Sequence, residues 1–248
     1  MRFAARLLLP PLTLLTWIST GFGREDEVRL WYRQPAAAWH EALPVGNGRL
    51  GAMVYGGAAQ ERLQLNEATV WSGRPGVYDR SGAHAHFPEI RRLLFEGRHG
   101  EAEERVNREV LGDRPLGSYQ PLGDLRLTLP GHETFTDYRR ELDLDRAIVR
   151  ITYRVGDTTF TREVFSSAPH QVLVIRLTAD RPHSLTLEAT LGRAEGADAT
   201  SRSDGTVVLT GQADRGKPTA GSRFAAQMRV VAEGGTVEGK AGVCRIVK

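Results

Sequence analysis

Apolar and polar residues alternate with a period of two through most of the chain from residue 28 onward. Such alternation sends successive side chains to opposite faces of a strand, so it favours half-buried β-strands over helices. The clearest case is 149–155, where apolar residues alternate with arginine and threonine. Gly156 and Asp157 follow with the residue types of a tight hairpin turn, and this makes 158–165 the predicted partner strand.

Similar short segments recur along the chain between turn residues. They predict further strands at 28–32, 50–55, 62–65, 125–129, 185–191, 207–209, 224–231 and 243–247. The run at 172–177 is denser in apolar residues, which predicts a strand covered on both faces. Polar, glycine-containing segments at 194–204 and 214–222 are predicted loops. Many short strands between turns are typical of an all-β fold, and we predict a large antiparallel β-sandwich.

One region, near residues 88–111, has helical periodicity instead. Ile90, Leu93 and Leu94 share one face of a helix that begins near Pro88, and apolar residues recur at a spacing of four through 101–111. Gly97 and Gly100 interrupt the two patterns. We therefore predict a short helical insertion between strands and no second domain within the sandwich.

The first 23 residues have the layout of a secretory signal peptide. Arg2 and Arg6 precede the apolar run 7–15, and small residues near Gly23 offer a cleavage point. The run is too short for a transmembrane helix, which needs about 20 apolar residues, so no membrane span is expected. We expect export to the periplasm or the extracellular space, with residues 24–248 as the mature domain and a C-terminal end that cuts this domain short.

The charge balance gives no sign of nucleic-acid binding. The chain has 33 Lys and Arg against 30 Asp and Glu, and two of the basic residues lie in the signal segment. No block of like charges provides an electrostatic footprint. The seven histidines have no metal-ligand spacing: His84 and His86 lack a third ligand nearby, and the single Cys244 has no evident partner. We expect no metal and no cofactor.

Two segments carry the candidate site residues. The first, 46–51, contains three glycines around Asn47 and Arg49, and its context favours a structural turn over a phosphate loop. The second, 65–73, combines an amide, a carboxylate and an indole, a set that also binds sugars. Its candidates are Asn66, Glu67 and Trp71. Glu41 and Glu67 form a conceivable acid/base pair for glycoside hydrolysis, but sequence does not give their separation.

These segments resemble the opening of glycoside hydrolase family 95, the exported α-L-fucosidases, some members of which act on α-L-galactosides. The resemblance is carried in order by LWY (30–32), WHEALPVGNGRLGAM (39–53), LNEATVWSG (65–73), PEIR (88–91), YQPLGDL (119–125), YRRELDLD (138–145) and FTREVF (160–165). It implies an N-terminal β-sandwich that precedes a catalytic (α/α)6 barrel. It also implies inverting hydrolysis by barrel residues, so no position of this chain is assigned as catalytic.

Three functional hypotheses follow. The resemblance favours an accessory domain, inactive alone, with the barrel of the same protein as its partner and fucosylated glycans as the substrates of the complete enzyme. A carbohydrate-binding module is the alternative, and it predicts an aromatic platform built from Trp31, Trp39 and Trp71. A complete small glycosidase using Glu41 or Glu67 ranks last.

We further expect the regions around Asn47 and Trp71 to lie on or beside the face that meets the barrel. Arg49, Asn66 and Glu67 would provide polar contacts there, since a domain interface tolerates polar groups that a core does not. The other interpretation is that Asn66 and Glu67 only cap the transition from strand to loop.

Overall fold

The structure, a computed structural model, describes residues 28–76, 78–112 and 117–247. The predicted signal peptide at 1–23 lies outside these residues. Two antiparallel sheets and a smaller third sheet account for the described strands, and they form the predicted all-β sandwich with a helical insertion.

The five-stranded sheet has the order β1-β6-β7-β8-β9. Its strands are β1 Arg29–Tyr32, β6 Thr136–Asp143, β7 Ile148–Val155, β8 Thr158–Ser167 and β9 Val172–Ala179. The predicted hairpin is confirmed: Val155 pairs with Thr158 around a turn in which Gly156 has a φ of 55°. The odd-numbered residues Val149, Ile151 and Tyr153 of β7 all lie in the core, as the alternation predicted.

The seven-stranded sheet has the order β14-β15-β10-β5-β4-β3-β2. Its strands are β2 Leu43–Gly46, β3 Leu50–Val54, β4 Gln60–Glu67, β5 Gly123–Thr128, β10 Leu187–Gly192, β14 Thr236–Lys240 and β15 Val243–Val247. A three-stranded sheet comprises β11 Ala197–Ser201, β12 Val207–Gln212 and β13 Arg223–Met228. One apolar core joins the inner faces, including Val54 and Leu63 with Val149 and Val164, and Leu209 of β12 extends it.

The core also contains polar groups that connect the sheets. Arg162 of β8 forms a buried ion pair with Glu61 of β4, and its Nη1 also donates to the Gly57 carbonyl at 3.0 Å. His132 Nδ1 lies 2.8 Å from the Tyr153 hydroxyl, and the His132 ring packs at 4.4 Å from Phe160. Buried charge is tolerated when it is paired and hydrogen-bonded. Glu61 and Arg162 Nη1 meet that condition, whereas Arg162 Nε and Nη2 have no hydrogen-bond partner among the described residues.

The prediction for 172–177 is wrong in one respect. β9 is an edge strand that pairs only with β8 among the described strands, and one of its faces is open to solvent because Val172 and Arg176 are exposed. Leu173, Ile175 and Leu177 pack against the core, whereas Val172 is 44% exposed. The continuous apolar run at 172–177 therefore forms an edge strand with one buried and one exposed face. The predicted loop at 194–204 is also wrong in part, because it contains β11, a polar strand with exposed residues.

The helical insertion is confirmed as two helices, α1 Phe87–Phe95 and α2 His99–Glu109. Gly97, with a φ of 74°, lies in the connection between them. Ile90 and Leu93 of α1 pack on Ala102 of α2 in a small cluster separate from the main core. None of the helices in the described part of the chain has the length and apolar character needed to cross a membrane.

Candidate functional site

Asn47 fixes the turn between β2 and β3 and connects the two large sheets. Its Oδ1 accepts hydrogen bonds from the backbone amides of Arg49 and Leu50 at 3.0 and 2.8 Å. Its Nδ2 donates to the carbonyl of Ser167, at the end of β8, at 3.0 Å. Gly48 has a φ of 91° within this turn, a conformation that glycine adopts without strain. The glycine-rich segment is thus a structural turn, as its sequence context indicated.

Arg49 and Glu67 lie side by side at the same end of the sandwich. Arg49 Nη1 is 3.3 Å from Glu67 Oε1, and Arg49 Nε donates to Gln171 Oε1 at 2.7 Å. Glu67 Oε2 accepts from the amide and the hydroxyl of Thr69 at 2.8 and 2.6 Å. Partial burial acts to raise the pKa of Glu67, but the bonds from Thr69 and Arg49 outweigh it and hold that pKa below its usual value.

Trp71 lies at the same end of the molecule and forms part of an exposed aromatic surface. It forms an isolated β-bridge with Tyr119, and the ring centroids lie 5.5 Å apart. The Trp71 indole donates to the Ala68 carbonyl at 3.0 Å, yet 47% of the residue is exposed. Burial and the nearby Glu67 charge raise the pKa of Tyr119. We call Asn47, Arg49, Glu67, Trp71 and Tyr119 the rim cluster.

Asn66 does not join the rim cluster. It pairs with Gly51 in the sheet, and because successive side chains alternate, it faces away from Glu67. Tyr119 is the member that was not predicted individually, although YQPLGDL (119–125) was among the segments that carry the resemblance. The contacts of Glu67 with Thr69 are those of a local strand-to-loop cap, so the role of the rim cluster in a domain interface stays a prediction.

Neither Glu41 nor Glu67 has the raised pKa that the general acid of a glycosidase needs. Glu41 Oε2 accepts from the backbone amides of Ala37 and Ala38, and these bonds lower its pKa. Glu67 is likewise held ionised, whereas a general acid needs a raised pKa. Burial raises the pKa of Glu61, against the opposing charge of Arg162, but Glu61 is only 2% exposed and out of reach of a substrate.

The tryptophans named by the carbohydrate-binding alternative are exposed but lie on different elements. Trp31 belongs to β1 of the five-stranded sheet, where the Arg139 guanidinium lies 4.8 Å from its ring centroid. Trp39 lies in a short 3-10 segment, and Trp71 follows β4 of the other large sheet. No group of three or more His, Cys, Asp or Glu within 28–76, 78–112 and 117–247 is placed to hold a metal ion.

A family model described as the N-terminal domain of glycosyl hydrolase family 65 matches residues 30–248. The chain belongs to this family. The match extends over all the described strands from β2 to β15 and over most of β1.

Similar curated proteins are fucosidases by name. Alpha-L-fucosidase 2 of Arabidopsis thaliana is 39% identical over 164 residues, which cover 65% of this chain and 19% of that protein. The probable alpha-fucosidases A of Aspergillus niger and Aspergillus oryzae are 36% and 32% identical, over 56% and 60% of this chain. The aligned segments cover 19%, 18% and 21% of these relatives, so the chain matches only a small part of their length.

Proposed function

We propose that the chain is the accessory N-terminal domain of an α-L-fucosidase of the family 95 type. The identity of 39% to Alpha-L-fucosidase 2 of Arabidopsis thaliana is the observation that carries the proposal. The domain would pack against a catalytic (α/α)6 barrel and help to shape its cleft, and the complete enzyme would act on fucosylated glycans. The small share of each relative that the chain covers is consistent with a catalytic domain elsewhere.

By itself the chain would be inactive, because acid catalysis needs a protonated carboxyl beside the scissile bond. Glu41 and Glu67 are both held in the ionised form by separate local partners. We expect the purified chain to release no fucose from 2′-fucosyllactose or from an aryl α-L-fucoside. Turnover well above a blank would show instead that the domain is a small glycosidase, provided that Glu67→Ala abolishes the turnover and that Glu103→Ala, at an exposed position of α2, leaves it intact.

We also propose that the protein is exported and that cleavage occurs near Gly23. The charged start and the apolar run at 7–15 support this proposal. Mass spectrometry of protein recovered outside the cytoplasm should find an N-terminus close to Arg24. Retention of Met1 on the secreted product would contradict cleavage.

A further inference from the structure

An open cleft of about 330 Å³ lies on the outer side of the seven-stranded sheet. Its floor comes from β4 and from the start of β5, and its walls come from the segments around 193–196 and 214–217. The lining is polar and charged, and includes Gln64, Gln120, Asp124, Arg193, Asp214 and Lys217. Ligand sites of small molecules occupy clefts of about 300–1,000 Å³ with a few well-placed polar groups, so this cleft has room for one small ligand.

Most charged groups of the cleft already have ionic partners. Arg62 Nε lies 3.1 Å from Asp124 Oδ1, and Lys217 Nζ lies 2.9 Å from Glu195 Oε2 and 3.7 Å from Asp214 Oδ1. Arg215 pairs with Asp198 at 2.8 Å. These pairs leave the carboxylates and cations of the cleft nearly balanced.

Arg193 differs from these residues. Its Nη2 donates to Gln120 Oε1 at 3.1 Å, and its guanidinium carbon lies 5.0 Å from the ring centroid of Phe224. Its Nη1, by contrast, is shielded from solvent and has no hydrogen-bond partner in the described structure. Burial lowers the pKa of Arg193, which reflects the desolvation of this cation. A shielded N–H donor without an acceptor is destabilising, so a ligand that brings an acceptor to this donor would be favoured.

Gln64 provides the complementary group. Its side chain also lines the cleft, and its Oε1 is shielded with no donor in the described structure. Unpaired buried groups are few in native proteins, and here one donor and one acceptor occur in the lining of the same cleft. A hydroxyl group can donate and accept at once, so a ring that carries hydroxyls would satisfy both. Because both atoms are shielded in the free chain, binding would require the two side chains to turn them toward the cleft interior.

We propose that this cleft is a binding site for one neutral sugar ring, held by hydroxyl contacts with Arg193 and Gln64. A neutral ligand fits the cleft because its carboxylates are already paired with cations, which leaves little net charge to hold an ion. Pro121 and Ala194 contribute apolar surface against which a ring face can pack. The proposal depends on the cleft alone and would stand without the fucosidase assignment.

The test is NMR titration of the full chain with methyl α-L-fucoside, methyl β-D-galactoside and sodium D-galacturonate as separate probes. We expect amide shifts at 193–196 and 214–217 with a neutral glycoside, and a loss of affinity of about tenfold or more in Arg193→Met. Arg245→Met is the matched control, because Arg245 lies on the same sheet but pairs with Glu188 at 2.7 Å, outside the cleft. It should titrate as the parent chain does.

Gln64→Met separates binding from a structural role. If Gln64 Oε1 has no partner in the free chain, the variant should keep or raise the melting temperature and lose the shift that the glycoside causes. A lower melting temperature would show that the Gln64 amide already has a stabilising partner in the free chain, which would overturn the proposal. Binding of galacturonate alone, or no response to any probe, would overturn it equally. None of these results would alter the match to fucosidases.

Discussion

Gly123 lies where β5 passes very close to β10, and its backbone conformation excludes a side chain. Its φ is 150°, and a Cβ added there would lie 2.5 Å from the Gly192 carbonyl oxygen. That oxygen belongs to a sheet backbone and cannot move aside cheaply. We expect Gly123→Ala to lower the free energy of unfolding by about 1–3 kcal/mol in urea denaturation. Gly192→Ala is the control, since a Cβ there meets open space. Equal losses in both variants would contradict this account.

His132 gives a pH dependence whose sign follows from its burial. Desolvation, together with the nearby Arg162 charge, lowers the pKa of His132 from 6.5 in the folded chain. The unfolded chain therefore takes up the proton first as the pH falls, so stability is fully present above pH 6.5 and declines below it. His132→Phe should flatten this part of the curve of unfolding free energy against pH. His99→Phe, at an exposed position of α2, is the control and should leave the dependence of the unfolding free energy on pH unchanged. If the unfolding free energy of the parent chain does not change below pH 6.5, His132 does not have this role.

At the scale of elements, the alternation predicted the hairpin of β7 and β8 but did not predict β6, which buries charged residues. β7 and β8 follow the period-two pattern closely, so their hairpin was predicted to within a few residues. β6 was missed because Arg140 and Glu141 interrupt its pattern, although both are buried. Arg140 is satisfied by the carbonyls of Gln34 and Glu41 at 2.8 and 2.7 Å, contacts that only the tertiary structure reveals.

The α1–α2 hairpin has a small core of its own, separate from the core of the sandwich. We therefore expect the hairpin to unfold independently of the sheets. Leu93 is 4% exposed within the cluster that joins the two helices, whereas the neighbouring Leu94 is 48% exposed. Truncation of a buried leucine costs about 2–5 kcal/mol. Leu93→Ala should therefore abolish amide protection in 87–109 while β7 and β8 exchange as before, and Leu94→Ala should do neither. Loss of protection throughout the sandwich would show that the hairpin is part of the main folding unit.

At the scale of the whole molecule, the outer face of the five-stranded sheet and the rim cluster differ in polarity. Across the outer face of the five-stranded sheet, Glu141, Arg150, Glu163 and Arg176 occupy paired positions of neighbouring strands, with ionic contacts of 3.9, 2.8 and 3.6 Å. In this charged ladder the arginines are exposed and cover the carboxylates, so the face that meets solvent is charged. The rim cluster instead presents the Trp71–Tyr119 pair. The sequence indicated four of the five residues of this cluster and did not single out Tyr119. Only the sheet register shows that Asn66 faces elsewhere.

If the rim cluster is a domain interface, the isolated chain should associate through it. Trp31 is a matched control for Trp71, because the two residues are almost equally exposed, at 45% and 47%. They differ in their surroundings. Trp31 lies beside the charged ladder, with the Arg139 guanidinium 4.8 Å from its ring centroid, whereas Trp71 adjoins a second aromatic ring. Uncovered apolar surface promotes association. In sedimentation velocity at increasing concentration, Trp71→Ser should reduce self-association several-fold and Trp31→Ser should not, at matched melting temperatures. Equal behaviour of the two variants would remove the basis for placing the interface at the rim cluster.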